Sequence, residues 1–201
     1  MMIIGICGSS GSGKSTLCSY FHKKGFKVLD CDNIYSNLIT PPSACLDEIV
    51  SFFGKEILSV NGSLNRKALA DMVFSSEDKL KALNSITFKH IKKQIFNTIE
   101  LCKDELLIFI DAPLLFESGI DKICNKTLCV IAPYSQKLKR LSLRDKIKEK
   151  ALKKRLDSQL KDDFLYKNCD DVIINDSDIE SLYLKAETYL NKVLKQKDEN
   201  I

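Results

Sequence analysis

A glycine-rich segment near the N-terminus has the residue types of a phosphate-binding site. Residues 8–15 read Gly-Ser-Ser-Gly-Ser-Gly-Lys-Ser and match the pattern G-x-x-x-x-G-K-[ST]. Glycines let backbone N–H groups point at a phosphate chain, and the following helix directs its positive end at the same anion. This segment, the phosphate-binding loop, therefore predicts a bound nucleoside triphosphate. We assign that role to Gly11, Ser12, Gly13, Lys14, Ser15 and Thr16.

Three side chains are candidates for handling phosphate and metal charge. Lys14 is expected to contact the β- and γ-phosphates as a point charge. The Ser15 hydroxyl is expected to bind Mg²⁺, and Asp111 ends an apolar run, as a Walker-B aspartate does when it holds the metal directly or through water. A chance match to the loop pattern is expected in roughly one chain in a hundred, but the strand–loop–helix context argues against chance.

Asp32 follows the second apolar run and is a candidate general base. The run ends Val-Leu-Asp-Cys-Asp at residues 28–32. In an open α/β sheet the carboxyl ends of the strands line the ligand crevice, so a carboxylate just beyond such an end can accept a proton from an acceptor hydroxyl. Capping of the next helix by Asp30 or Asp32 is the structural alternative, and position alone leaves both open.

Five short apolar runs alternate with helical patterns, which predicts a parallel sheet. The runs lie at 2–7, 26–29, 106–110, 127–131 and 172–174. Because the first run leads into the phosphate-binding loop, we expect a P-loop NTPase-type three-layer α/β/α fold with a five-stranded parallel sheet. Helical stretches interrupt the alternation twice, at about 35–103 and about 141–168. We predict a single domain with a core of 1–34, 104–140 and 169–201. We expect the helical insertion at 35–103 to be a lobe that holds a phosphate acceptor, and the insertion at 141–168 to be a lid that closes over the phosphates.

Local signals predict several helix boundaries. Ser76, with Glu77 and Asp78 after it, is expected to cap a long helix. The apolar side chains predicted to be buried by that helix are Leu80, Leu83, Ile91, Ile95 and Ile99. Pro133 is expected to open a helix at its first position. A closing helix is predicted over 179–193, with a frayed polar tail at 195–201.

Basic residues are concentrated in one late segment. Between Lys137 and Lys167 there are twelve Lys and Arg against five Asp and Glu, although the whole chain has a net charge of only +4. A basic segment beside a nucleotide site suggests a phosphate-handling element. We expect no nucleic-acid binding, because no aromatic platform accompanies these charges.

Other features exclude several classes of protein. No Asp has a Gly three positions later, and Asn-Lys-Thr-Leu at 125–128 lacks the final Asp of a guanine-binding motif. No apolar run approaches the roughly 20 residues of a membrane helix. The N-terminus shows no signal peptide, so we expect a cytoplasmic protein, and we expect a monomer. The eight cysteines form no C-x-x-C pair, which favours buried thiols over a zinc cluster.

Several motifs together make the chain similar to the dephospho-CoA kinase family. These are Gly-Ser-Gly-Lys-Ser-Thr at 11–16, Val-Leu-Asp-Cys-Asp at 28–32, Pro-Leu-Leu-Phe-Glu-Ser-Gly at 113–119, Arg-Asp at 144–145 and Asp-Asp-Val-Ile-Ile-Asn at 170–175. Their order and spacing cover nearly the whole chain. The segment 113–117 is the most discriminating, because generic nucleotide kinases lack it.

The resemblance implies transfer of the γ-phosphate of ATP to the ribose 3′-hydroxyl of dephospho-CoA, with Mg²⁺. It assigns catalysis to Asp32 as base, with Lys14 and Arg140, and it adds Arg144 to the residues that bind ATP. Arg140 and Arg144 correspond to lid arginines, whose alternative is a solvated basic helix face. The residues that the resemblance assigns to the acceptor are Arg66, Leu115, Phe116 and Glu117. Packing in the core is the alternative for the apolar members, whereas a carboxylate within an apolar turn needs a partner.

Three departures from the family pattern affect the lobe and the lid. Phe88-Lys89 stands where many relatives have His-Pro, with His90 two residues after Phe88. Pro42-Ser43 replaces Pro-Gly, and Lys-Asp-Asp at 161–163 follows Gln159 where basic residues are usual. The alternatives to this family are a nucleoside or nucleotide kinase of the same fold and a non-catalytic nucleotide-binding protein.

Overall fold

The computed structural model describes residues 1–145 and 147–198. Lys146 of the predicted lid and residues 199–201 of the predicted tail lie outside the described residues. The chain forms two compact units. The first consists of Met1–Val28 and the described residues from Glu105 onward, and the second of Leu29–Asp104.

A sheet of five strands, counted over the described residues, is the central element. The strands are β1 Met2–Cys7, β2 Lys27–Asp30, β3 Leu107–Asp111, β4 Lys126–Ile131 and β5 Asp171–Ile174, in the order β2-β3-β1-β4-β5. β1 pairs in parallel with β3 and β4, and β4 pairs in parallel with β5. The predicted α/β fold is confirmed. Strand ends differ from the apolar runs by at most one residue, because hydrogen bonds and not hydrophobicity define them.

Helices in the described residues separate successive strands, except between β3 and β4, where only a 3-10 turn is found. They are α1 Lys14–Lys23, α2 Cys31–Leu38, α3 Ala44–Phe53, α4 Arg66–Val73, α5 Glu77–Leu101, α6 Tyr134–Asp145, α7 Glu149–Asp157, α8 Asp162–Asn168 and α9 Ile179–Asp198. Short 3-10 turns lie at Lys55–Ile57 and Asp121–Ile123. No helix in the described ranges is long and apolar enough to cross a membrane.

The core of the first unit lies between the sheet and helices α1 and α9. Ile4 and Ile6 of β1 belong to it, as do buried side chains of both helices. Phe21 of α1 stacks on Phe109 of β3, with ring centroids 4.1 Å apart. Because side chains alternate along a strand, Gly5 and Cys7 face the opposite side of the sheet.

Three predictions about helices need correction. α9 continues to Asp198, so residues 195–198 are helical and not frayed. Leu80 and Leu83 are only half-buried, whereas Ile86 replaces them among the buried residues of α5. Pro133 precedes α6 by one residue, and its carbonyl accepts a hydrogen bond from the N–H of Lys137.

The second unit is helical and has its own core. Buried side chains from α3, α4 and α5 meet there, including Ile49, Leu69 and Ile86. The predicted cap is confirmed: the Ser76 hydroxyl accepts a hydrogen bond from the N–H of Lys79. The unit therefore has a hydrophobic core distinct from that of the sheet.

Candidate active site

The phosphate-binding loop needs glycine at two positions for space as well as for conformation. Gly11 and Gly13 have φ of 79° and 102°, values that side-chain-bearing residues rarely adopt. A Cβ on Gly13 would lie 2.2 Å from Nδ2 of Asn175, and one on Gly11 would lie 2.8 Å from the carbonyl oxygen of Lys137. Replacement of either glycine would therefore displace the loop from its supports.

Asn175 fastens the loop to the end of β5. Its side-chain amide donates to the carbonyl oxygen of Ser12 at 2.7 Å, and its backbone N–H donates to Ile131 at 2.8 Å. Asn175 is buried, so these hydrogen bonds satisfy polar groups that water does not reach. Sequence reasoning did not assign a role to this residue. The signal was present in the motif Val-Ile-Ile-Asn, which ends a strand beside β4.

Arg140 is directed at the loop's backbone. Its guanidinium donates to the carbonyl oxygens of Gly11 at 3.3 Å and Ser12 at 3.5 Å, and to Oδ1 of Asn175 at 3.2 Å. The residue is therefore not part of a solvated basic face. In this arrangement it positions the loop, and its predicted approach to a phosphate stays a prediction.

Lys14 and Asp111 form an ion pair at the end of β3. The ammonium of Lys14 contacts the Asp111 carboxylate, and both side chains are mostly buried. Ser15 is exposed and Thr16 half-buried in the first turn of α1. A carboxylate and a hydroxyl are hard oxygen ligands, and Mg²⁺ in kinases needs only one or two protein ligands besides phosphate oxygens. The donor set of Asp111 and Ser15 therefore fits Mg²⁺.

A buried lysine connects the loop to the start of α8. The Lys137 ammonium lies 2.8 Å from the Asp162 carboxylate and 3.1 Å from the Ser9 hydroxyl. The Ser9 hydroxyl in turn donates to Asp162 at 3.0 Å. Asp162 is one of the acidic residues at 161–163 that are expected to depart from the family pattern. The network gives this residue a structural role beside the loop.

Gln159 makes a second connection from the predicted lid to the loop. Its side-chain oxygen accepts the backbone N–H of Ser10 at 2.9 Å, and its side-chain N–H donates to the Ser10 hydroxyl at 3.1 Å. Neither Lys137, Gln159 nor Asp162 was assigned to the site from the sequence. Their contacts with the loop span long distances in the chain, so no local pattern indicates them.

Arg144 differs from Arg140 in its surroundings. Its side chain is 57% exposed and pairs with Asp145 at 2.5 Å. Arg155 also contacts the Asp145 carboxylate, at 3.0 Å. The hydrogen bond from Arg144 lowers the pKa of Asp145 below its ordinary value. Binding of ATP by Arg144 stays a prediction.

The Pro-Leu-Leu-Phe-Glu segment borders a cavity of about 210 Å³ next to the loop. Leu115 is fully buried and lies against Gly5, which fits the core role. Phe116 is half-buried and packs edge-on against Phe164, with ring centroids 5.6 Å apart. Glu117 is exposed, so it needs no buried partner, although partial desolvation raises its pKa. Phe116 and Glu117, in contrast to Leu115, therefore have side chains that are accessible to an acceptor.

In the second unit, Asp30 and not Asp32 caps α2. The Asp30 carboxylate accepts the N–H of Asn33 at 3.0 Å, which places Asp32 inside the first turn. Arg66 is exposed and donates to the Ser36 hydroxyl at 3.2 Å. Ser36 follows Asp32 by four residues, so both lie on one face of α2. The candidate base and the candidate acceptor-binding cation are therefore grouped along this face.

His90 lies in an ion-pair cluster of the same unit. Its Nε2 is 2.8 Å from the Glu48 carboxylate, which also pairs with Lys89 at 2.6 Å. These bonds lower the pKa of Glu48, with Lys89 contributing most. Lys89 lies where the family pattern leads us to expect the proline of His-Pro, and His90 follows it directly. Both thus share the Glu48 carboxylate, which links α3 to α5.

Comparison with known proteins identifies the family. The family model described as dephospho-CoA kinase (CoaE) matches residues 2–181. A dephospho-CoA kinase of Fusobacterium nucleatum is 42% identical over 193 residues, covering 96% of this chain and 99% of that protein.

Two solved structures have the same fold over nearly their whole length. The Thermus thermophilus protein TT1252 is 30% identical with a TM-score of 0.82, and 97% of each chain is covered. A dephospho-CoA kinase from Campylobacter jejuni is 27% identical with a TM-score of 0.72, covering 97% of this chain and 98% of that one. These matches show that the chain belongs to the dephospho-CoA kinase family.

Proposed function

We propose that this chain transfers the γ-phosphoryl group of ATP to the ribose 3′-hydroxyl of dephospho-CoA, giving CoA and ADP in the last step of coenzyme A biosynthesis. The observation that carries the proposal is the family match over residues 2–181, in a chain whose phosphate-binding loop is intact. The Lys14–Asp111 pair beside that loop supplies the charges of a phosphoryl-transfer site.

On the donor side, the loop binds the phosphate chain of ATP. Backbone N–H groups of Gly11–Thr16 and the Lys14 ammonium contact the β- and γ-phosphates. Asp111 and Ser15 would hold Mg²⁺, which would neutralise charge on the phosphoryl group. Arg140 keeps the loop in its binding conformation, and Arg144 contacts phosphate when ATP is present.

On the acceptor side, Asp32 accepts the proton of the ribose 3′-hydroxyl as that oxygen attacks the γ-phosphorus. The capping role of Asp30 and the grouping of Asp32 with Arg66 along α2 support this assignment. Arg66 binds an anionic group of the acceptor, and Phe116 and Glu117 line its site, with Leu115 packed behind them.

Binding of the acceptor and covering of the phosphates are functions of two different segments. Residues 35–103 hold the acceptor, and residues 141–168 act as a lid that excludes water from the phosphates. The protein works as a cytoplasmic monomer. Support for the lid comes from its two connections to the loop, through Gln159 and Asp162.

The test is ADP release with ATP, Mg²⁺ and a panel of acceptors that contains dephospho-CoA, nucleosides and nucleoside monophosphates. We expect turnover with dephospho-CoA alone, and mass spectrometry should identify CoA. Turnover with only a nucleoside or nucleotide would instead select the alternative kinase. ATP binding without turnover of any acceptor would select the non-catalytic alternative.

The base is tested by a matched pair of variants. Asp32→Asn should lower kcat by about 10²–10⁴-fold at unchanged ATP affinity, because a general base contributes a factor of that size. Asp30→Asn should keep near-normal activity, since Asn caps helices about as well as Asp. Equal activities of the two variants would refute the role of Asp32.

A further inference from the structure

Three thiols meet on one face of the sheet, immediately before the phosphate-binding loop. Cys7 is the last residue of β1 and pairs in register with Cys129 of β4, so both side chains face the same side. Cys169 lies just before β5, and its Sγ is 3.5 Å from Sγ of Cys7. In the described part of the chain, no group of three or more His, Cys, Asp or Glu side chains has the arrangement of a metal site. Thiol chemistry is therefore the property to consider here.

The three thiols differ in exposure and in acidity. Cys7 is 1% exposed and Cys129 is fully buried, whereas Cys169 is half-buried. Hydrogen bonds from the Cys129 and Cys7 thiols lower the pKa of Cys169 below its ordinary value, although burial and the nearby Asp170 carboxylate oppose this. Thiolates, and not thiols, react with peroxides. The accessible member of the cluster is therefore also the reactive one, with a second thiol already in contact.

We propose that Cys169 and Cys7 form a site of reversible oxidation that inactivates the phosphate-binding loop. In the first step the Cys169 thiolate attacks a peroxide oxygen, giving a sulfenic acid and releasing hydroxide when the oxidant is hydrogen peroxide. In the second step the Cys7 sulfur displaces water from the sulfenic acid and gives a disulfide. The two thiols lose two electrons, which reduce one peroxide to two waters.

The position of Cys7, directly before Gly8, couples this bond to the loop. The sulfur atoms must approach from 3.5 Å to about 2.05 Å, and the part of that distance that side-chain rotation does not cover must come from movement of the two segments. Gly8 follows Cys7, and a Cβ on Gly8 would lie only 2.5 Å from the carbonyl oxygen of Val130, so the backbone has little room on that side. A displacement of about 1 Å in a site of this kind costs on the order of 10²-fold in rate.

The experiment treats the reduced full-length protein with hydrogen peroxide and maps its disulfides by mass spectrometry of tryptic peptides without reduction. Cys7, Cys129 and Cys169 fall in separate peptides, residues 1–14, 127–137 and 168–185, each with a single cysteine. We expect a cross-link between the first and third peptides. Because a displaced loop loses charge-assisted hydrogen bonds to the phosphates, we also expect at least about tenfold weaker binding of a fluorescent ATP analogue, restored by dithiothreitol.

Two variants serve as controls. Cys169→Ser should bind the analogue within about twofold of the wild type and become insensitive to peroxide. Cys102→Ser replaces another half-buried cysteine and should leave the response to peroxide intact. A cross-link to the Cys129 peptide, no cross-link at all, or loss of binding in oxidised Cys169→Ser would overturn the proposal.

The effect on turnover rests on the proposed kinase function, but the cross-link and the binding of the ATP analogue do not. If dephospho-CoA is not phosphorylated while the cross-link forms and weakens analogue binding, the proposed function fails and the oxidation site stands. If CoA is formed and peroxide produces no cross-link, the reverse holds.

Discussion

The side chain of Gln159 forms two hydrogen bonds with Ser10, accepting its backbone N–H at 2.9 Å and donating to its hydroxyl at 3.1 Å. One residue of the predicted lid thus holds the phosphate-binding loop by both of its polar atoms. The loop's conformation consequently depends on a segment that lies 149 positions later in the chain.

Loss of this contact should weaken nucleotide binding. Gln159→Ala removes two hydrogen bonds of about 1 kcal/mol each, so we expect an ATP analogue to bind up to about 30-fold more weakly in calorimetry. Gln94→Ala, at an exposed position of α5, is the matched control and should bind normally. Tighter binding by Gln159→Ala would mean that Gln159 competes with the phosphates for the N–H of Ser10.

Asn175 should contribute to both stability and nucleotide affinity. In Asn175→Ala the Ser12 carbonyl loses its 2.7 Å donor, at a cost of about 1–3 kcal/mol. For a chain of this size we expect Tm to fall by roughly 2–4 °C per kcal/mol. Asn168→Ala removes an amide from an exposed residue of α8 and should change Tm much less. Equal thermal shifts for the two variants would exclude a special role for the buried amide.

The Lys14–Asp111 pair allows stability to be separated from catalysis. Lys14→Met should lower kcat by about 10²–10³-fold, since a charge that stabilises the transition state is lost. It should also lower the free energy of unfolding by about 3–5 kcal/mol, because a mostly buried carboxylate loses its partner. Lys14→Met/Asp111→Leu should recover much of that stability without recovering turnover. If the double variant were no more stable than Lys14→Met, the unpaired Asp111 carboxylate would not be the source of the stability loss.

Asp170 should make stability depend on pH in the acid range. The Thr127 hydroxyl and backbone N–H donate to the Asp170 carboxylate at 2.7 Å and 2.8 Å, and these bonds lower its pKa. A lowered folded-state pKa contributes stability above the unfolded-state value of about 3.9, and this contribution is lost as pH falls through the folded-state pKa.

The free energy of unfolding of Asp170→Asn should therefore fall below that of the wild type at neutral pH. Denaturant titrations from pH 7 to pH 3 should show this gap narrowing only below about pH 4. Asp104→Asn removes an exposed carboxylate and should show no such dependence. A gap that widens on acidification would contradict the assigned direction.

Much of the fold was readable from local patterns. Short apolar runs gave the five strands to within one residue, because strands buried on both faces need continuous apolar sequence. The glycine pattern at 8–15 predicted an anion-binding loop, and the structure adds that Asn175 and Lys137 occupy the space where a Cβ of Gly13 or Gly11 would lie. The predicted end of α9 at Val193 was five residues short of the observed end at Asp198, because a polar sequence can stay helical without burying a face.

The amino-acid sequence by itself determined the phosphate-binding loop, the parallel sheet and the family. Only the tertiary structure decided which side chains hold that loop. Asn175 reaches Ser12 across 163 positions because β5 lies beside β4 and β4 beside β1. Such contacts follow from strand order and helix docking, which no local periodicity encodes. The same reason explains why Arg140 contacts loop carbonyls and why Cys7 and Cys169 meet, whereas the approach of Arg140 to a phosphate stays a prediction.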